Sequence, residues 1–154
     1  MVTVTVENQV GDRWVPTTVT LDLDEDMNLS DETIDKDMCQ LPRKIAYYAE
    51  LSATLQAQES RHEHEMESIE SNYAQRVRQA ALASSEKITE QGIKERICQD
   101  PTVTAARYKF FDTQRQHTMV EGFYRALREK ASLAIAICYK QKEEIRVMNS
   151  PINQ

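Results

Sequence analysis

Residues 100–148 read DPTVTAARYKFFDTQRQHTMVEGFYRALREKASLAIAICYKQKEEIRVM, and the reading of this stretch decides the fold. Counting sevens from Val103 gives Phe110, His117, Tyr124, Ala131, Cys138 and Ile145, and the companion register gives Ala106, Thr113, Val120, Leu127, Ala134, Gln141 and Met148. All but His117, Thr113 and Gln141 are apolar, the pattern of a coiled-coil-like helix seam. Asp100-Pro101 opens the helix with a side chain able to cap free N–H groups, followed by an imino acid whose missing N–H costs nothing in a first turn. A helix over 101–147 would be roughly 70 Å long at ~1.5 Å per residue, whereas a compact globule of this size has a radius of gyration of about 15 Å. A second long helix must therefore lie antiparallel to it. The pair leaves Phe111, Phe123, Ile135 and Ile137 for further helices to cover, so self-association is expected.

Working towards the N-terminus, no proline intervenes between Pro42 and Pro101, and Ile45, Tyr48, Leu55, His62, Met66, Ile69, Tyr73, Val77 and Ala80 recur at helical spacing. Pro42 suits the first turn of this helix. Ser84-Ser85 and Gly92 weaken the pattern, which makes residues 85–99 a shorter helix or a bent continuation. Asn28-Leu29-Ser30-Asp31-Glu32 reads as a helix start with Ser30 as cap, opening a short helix that closes before Pro42. Further back the period changes to two: Val2, Val4 and Val6 alternate with Thr3 and Thr5, and Val19, Leu21 and Leu23 with Thr18, Thr20 and Asp22, across a turn-like 8–12. That is a β-hairpin. Alone it is marginal in water, so its apolar face must pack on a helix or pair with another subunit, and Pro16 fits an outer edge. The expected fold is mainly α, a long coiled-coil-like helical hairpin with an N-terminal β-hairpin, assembling into a homo-oligomer. Its expected segments are hairpin and acidic linker over 1–28, helical domain over 29–148 and tail over 149–154.

The 154 residues carry a formal charge of -6 and a mean hydropathy of -0.62, with no apolar run near the roughly 18 residues that a membrane span needs. The alternating N-terminus lacks the basic and continuously apolar regions of a signal peptide. An intracellular protein without a membrane partner is expected. Cys39, Cys98 and Cys138 are too few and too widely spaced for a disulfide framework or a C-x-x-C metal site, and are expected as buried small hydrophobes. Charge is uneven: residues 1–41 are net -8, 42–75 net -3 and 76–154 net +5. An acidic front and a basic back point to a polyanion at one end and a solvated or partner-facing segment at the other.

Sites of catalysis are hard to build from this chain. His62-Glu63-His64-Glu65 falls short of H-E-x-x-H because position 66 is Met, and reads as a solvated charged face. Glu59-Ser60-Arg61-His62 matches one E-x-x-H of a di-iron bundle, but the remaining histidine, His117, has Gln114 where the second glutamate belongs. Three glycines cannot furnish phosphate loops, and no Ser, Cys or Asp lies in a nucleophile motif, so no enzyme and no cofactor is expected. A basic and aromatic pattern remains. Tyr73, Arg76 and Arg78 lie late in the first long helix, with Lys87, Lys94 and Arg96 beyond, a set that could hold phosphates while a ring stacks on a base. Arg107, Lys109, Arg125, Arg128 and Lys130 form a second basic group. The residues expected at contacts between copies are Phe110, Val120, Phe123, Tyr124, Leu127 and Ile135.

The run Leu29-Ser30-Asp31-Glu32-Thr33-Ile34-Asp35, then Leu41-Pro42 and Ile45-Ala46-Tyr47-Tyr48, resembles the N-terminal half of the UvsY-like recombination mediators of tailed phages. Ile93-Lys94-Glu95-Arg96-Ile97-Cys98-Gln99-Asp100-Pro101-Thr102-Val103 and the later Tyr124-Arg125-Ala126-Leu127-Arg128-Glu129-Lys130 are similar to that family's restart and terminal helix, so the likeness covers residues 29–147. It implies a homo-oligomer, a ring, that binds single-stranded DNA in the cytoplasm of a phage-infected bacterium. There it would help a RecA-like recombinase displace the single-strand-binding protein. The family's basic-x-basic DNA-binding pair corresponds here to Arg76-Val77-Arg78. Two features depart from the family pattern: the hairpin has no counterpart, and Gln75 and Gln79 flank the pair where basic residues are usual. A coiled-coil scaffold without DNA affinity explains the heptads equally well.

Overall fold

The computed structural model describes residues 1–27, 34–85 and 87–148. Two strands, β1 (Val2–Val10) and β2 (Arg13–Leu21), form a two-stranded sheet, followed by helices α1 (Leu23–Met27), α2 (Ile34–Ala83), α3 (Glu90–Gln99) and α4 (Pro101–Met148). The chain is thus mainly α, with a long helical hairpin behind an N-terminal β-hairpin. None of the helices among the described residues is long and apolar enough to cross a membrane. The Ser30 cap and the 149–154 tail lie outside the described residues.

The strands turn at Gly11-Asp12, where Gly11 has a φ of 61°, the left-handed conformation that a residue without a side chain adopts at no steric cost. Both strands run further into the turn region than the alternation alone indicated. Pro16 lies within β2, where it removes one donor without ending the strand.

The largest departure from expectation is at Pro42. The sequence suggests a short helix closing before it and a new helix opening on it; instead α2 runs through it for 50 residues. Leu41, Tyr48, Leu51, Leu55, Gln58 and His62 are all buried, and their spacing of 7, 3, 4, 3 and 4 is one uninterrupted helical stripe. Holding Leu41 in phase with Tyr48 requires a continuous helix. That burial offsets the ~3 kcal/mol an interior proline costs through its missing N–H and its ring.

At the other end α2 stops where expected. Ser85 takes a φ of 55°, and its N–H bonds to the Leu82 carbonyl at 3.2 Å. Thr89 then caps α3, its Oγ1 accepting from the Gly92 N–H at 3.1 Å. Asp100 serves two helices: its N–H bonds the Ile97 carbonyl of α3, and its Oδ1 accepts from the N–H groups of Thr102 and Val103 at 2.9 and 3.0 Å. Asp100→Ala is expected to cost about 1 kcal/mol, read as a lower urea midpoint at unchanged m-value.

Two compact units emerge, one of residues 1–3, 20–52 and 119–154, the other of 4–19 and 53–118. In the first, Tyr48 is 1% exposed and meets Phe123 edge-on at 6.4 Å between ring centres. Its hydroxyl donates to Asp26 Oδ2 at 2.7 Å, Lys44 holds Asp26 Oδ1 at 2.7 Å, and buried Lys130 donates to the Asp26 carbonyl at 2.9 Å. Burial, and then Asp26, push the Tyr48 phenol well above its usual range and keep it a donor. Val120, Leu127 and Ala134 are the buried apolar residues that α4 gives this unit.

In the second unit, Glu59 pairs with His117, His62 with Thr113, Glu65 with Lys109 and Glu70 with Arg107. One number rises as the other falls, so α2 and α4 are antiparallel here. β1 lies on them with Val4 and Val6 buried. Its backbone is clasped by two buried glutamines: the Thr5 N–H donates to Gln116 Oε1, and the Glu7 N–H donates to Gln58 Oε1 at 2.9 Å. The cysteines differ from expectation, since Cys39 and Cys98 are exposed and Cys138 is half-buried.

Candidate nucleic-acid interface

Tyr73, Arg76, Arg78, Lys87, Lys94 and Arg96 all belong to the second unit, on the last turns of α2, the segment after it and α3. Val77 is 7% exposed, and this fixes the rotation of α2 about its axis. Residues two apart on a helix point about 200° from one another, so a buried Val77 sends Arg76 and Arg78 out on opposite sides. They do not form one basic surface.

Arg76 is exposed and has no hydrogen bond or ion pair among the described residues. It lines an open cleft with half-buried Tyr73 and with Ile69, Asn72, Asp100 and Thr102. Arg78 instead points at α3, its Nη2 lying 3.0 and 3.2 Å from the two carboxylate oxygens of Glu90. Lys87 and Arg96 share a second groove with Ile88, Thr89, Gly92, Glu95 and Gln99, and Lys94 is exposed on α3 outside it. The structure therefore brings Tyr73 to Arg76 and Lys87 to Arg96, and leaves Arg78 committed to a carboxylate.

Members of the second basic group are already engaged. Arg107 bonds Glu70 at 2.5 Å and Cys98 Sγ at 3.5 Å, and the Glu70 bond raises its guanidinium above the ordinary value. Lys109 pairs with Glu65, Arg125 with Glu121 at 2.6 Å, and Arg128 stands over the Tyr124 ring at 5.8 Å. Sequence reasoning missed the groove that Arg125 and Arg128 line with Glu129, Ser132 and Leu133. Spacing of i, i+3, i+4, i+7 and i+8 from Arg125 was the available signal.

No protein-family model matches the chain, and no curated protein or solved structure matches it either. The residues themselves must carry the functional reading.

The histidine-rich stretch keeps the place of His62 on the stripe with Tyr48 and Leu55 and corrects the reading of it as part of a solvated face. His62 is 2% exposed and faces the protein interior, not solvent, whereas His64 is open and lies 3.8 Å from Glu67. Among the described residues no group of three His, Cys, Asp or Glu side chains could hold a metal ion. Of the six residues expected between copies, Phe110, Val120 and Leu127 are buried within the chain, because a heptad seam fills an intrachain helix pair as readily as an intermolecular one. Phe123 and Tyr124 are half-buried, and Ile135 is exposed. Leu133, Ile137, Tyr139, Ile145 and Val147 are exposed with it on the last turns of α4.

Proposed function

We propose that this protein is a recombination mediator of the UvsY-like kind, a homo-oligomeric, ring-forming binder of single-stranded DNA that helps load a RecA-like recombinase in place of single-strand-binding protein. The observation that carries the reading is the cleft of Tyr73 and Arg76. An unengaged guanidinium beside a half-buried ring is the pairing that grips a phosphate while a base stacks, without regard to sequence. A second groove, lined by Lys87 and Arg96 with Glu95, lies beside α3. One such cleft is a weak site. In an oligomer several would meet the same strand, and affinity would grow through effective concentration. The exposed apolar turns at the end of α4 supply a surface for self-association.

The test is fluorescence anisotropy of a labelled oligo-dT titrated with the protein at several salt concentrations, beside a duplex of equal length. Binding should favour the single strand and weaken with salt, the slope of log K against log salt being about -0.7 for each phosphate neutralised. Absence of binding at low salt by folded protein overturns the reading. It would leave a coiled-coil scaffold, which the same exposed α4 turns and the Glu90-neutralised Arg78 favour.

A further inference from the structure

His62 is buried at 2% exposure, with each ring nitrogen facing a partner from a different element. Nδ1 lies 2.8 Å from Thr113 Oγ1 on α4, and Nε2 lies 3.2 Å from Glu7 Oε2 on β1. A carboxylate oxygen only accepts, so Nε2 must carry a proton. In the neutral ring Nδ1 is then bare, and the Thr113 hydroxyl has to donate to it. In the charged ring Nδ1 donates, and the Thr113 hydroxyl proton goes to the Lys109 carbonyl 3.0 Å away. The hydrogen bonds close in either state, and what differs is a full charge in a buried place.

The same Glu7 oxygen is also the acceptor for Arg61, whose guanidinium is stacked on the Trp14 ring of β2 at 3.6 Å from its centre. The charged groups acting on His62 are therefore Glu7 from β1, Arg61 from its own helix and Lys109 from α4. Two are positive, and the single negative one is shared with Arg61. The hairpin seals this group: Val4 and Val6 are buried, and the glutamine clasp holds the β1 backbone beside it.

We infer that His62 is a proton-operated latch on the N-terminal hairpin: neutral, it lets β1 dock on α2 and α4, and charged, it favours a state in which the hairpin lifts and the ring regains water. Burial and the Lys109 ammonium hold His62 below the usual imidazole range, outweighing the pull of Glu7. A histidine with a lowered value stabilises the docked state above its ordinary value of 6.5 and loses that contribution as pH falls below it. Acid is the opening signal. Because Trp14 is the single tryptophan of the chain, the latch carries its own reporter.

The experiment follows Trp14 emission of the full chain from about pH 8 to about pH 5, with far-UV circular dichroism alongside. A reversible red shift with a midpoint below 6.5 at constant helix signal is expected, together with its loss in His62→Gln. Lys109→Met, which removes a charge that disfavours the imidazolium in the docked state, should weaken the drive to open and move the midpoint to lower pH, and it keeps the test open should His62→Gln fail to fold. A flat wild-type profile, an unchanged transition in His62→Gln, or a Lys109→Met midpoint that stays or rises would each overturn the latch.

Discussion

Tyr48→Ala is expected to lower the unfolding free energy by about 3–5 kcal/mol, the largest stability loss of any substitution considered for this chain. The ring is 1% exposed and sits edge-on to Phe123 and to Tyr47, 5.6 Å away, so truncation leaves a cavity lined by aromatic edges. It also deletes the hydroxyl that meets Asp26, leaving that carboxylate to Lys44 alone. Tyr48→Phe separates the two contributions: it keeps the ring and should cost about 1 kcal/mol, the net worth of one hydrogen bond. Urea denaturation followed by circular dichroism gives both values. A loss below about 1 kcal/mol in the alanine variant would mean that the space closes up and that Tyr48 does not organise its unit.

Arg76 and Arg78, neighbours in a basic-x-basic pair, are expected to differ sharply in DNA binding. Arg76→Ala should weaken oligo-dT binding about ten-fold or more, since a charge-assisted contact of about 1.5 kcal/mol per subunit would be repeated around the proposed oligomer. It should also flatten the salt dependence. Arg78→Ala should change affinity by less than about two-fold, because its guanidinium is already held by Glu90 at 3.0 Å and that exposed pair is worth little in itself. Glu90→Ala should then tighten binding by releasing Arg78. Light scattering on each variant checks that its mass in solution matches that of the unaltered protein. Equal losses for both arginines would contradict the splayed geometry, and no loss for either would remove the cleft from the binding reading.

How much of this was legible in the sequence depended on how local each signal was. Asp100-Pro101 and the heptads after it carry their meaning within one helix, and the strands declare themselves by alternation over a few residues. Pro42 misled because local propensity speaks for a break, while the contrary argument, the shared burial of Leu41 and Tyr48, belongs to tertiary packing. His62 gave two signals, a place on the stripe with Tyr48 and Leu55 and a charged setting of Arg61, Glu63, His64 and Glu65 that looks solvated; the second misled, because its partners Glu7 and Thr113 are 55 and 51 residues away. Arg76 and Arg78 read as one patch in a line of text, but helical rotation parts them and brings Glu90 across the turn to one of them. The heptads reveal a seam without saying whether its other side is the same chain or another copy.

The glutamine clasp has a consequence for how the protein comes to be made. The N–H of Thr5 is held by Gln116, a separation of 111 residues. At roughly 5–20 residues per second, a ribosome takes about 5–20 s to span it. During that time β1 and β2 have emerged without the helices that cover Val4 and Val6, and a lone two-stranded hairpin is barely stable. β1 is thus made well before part of its seat, and α4 must reach at least Gln116 before the clasp can close.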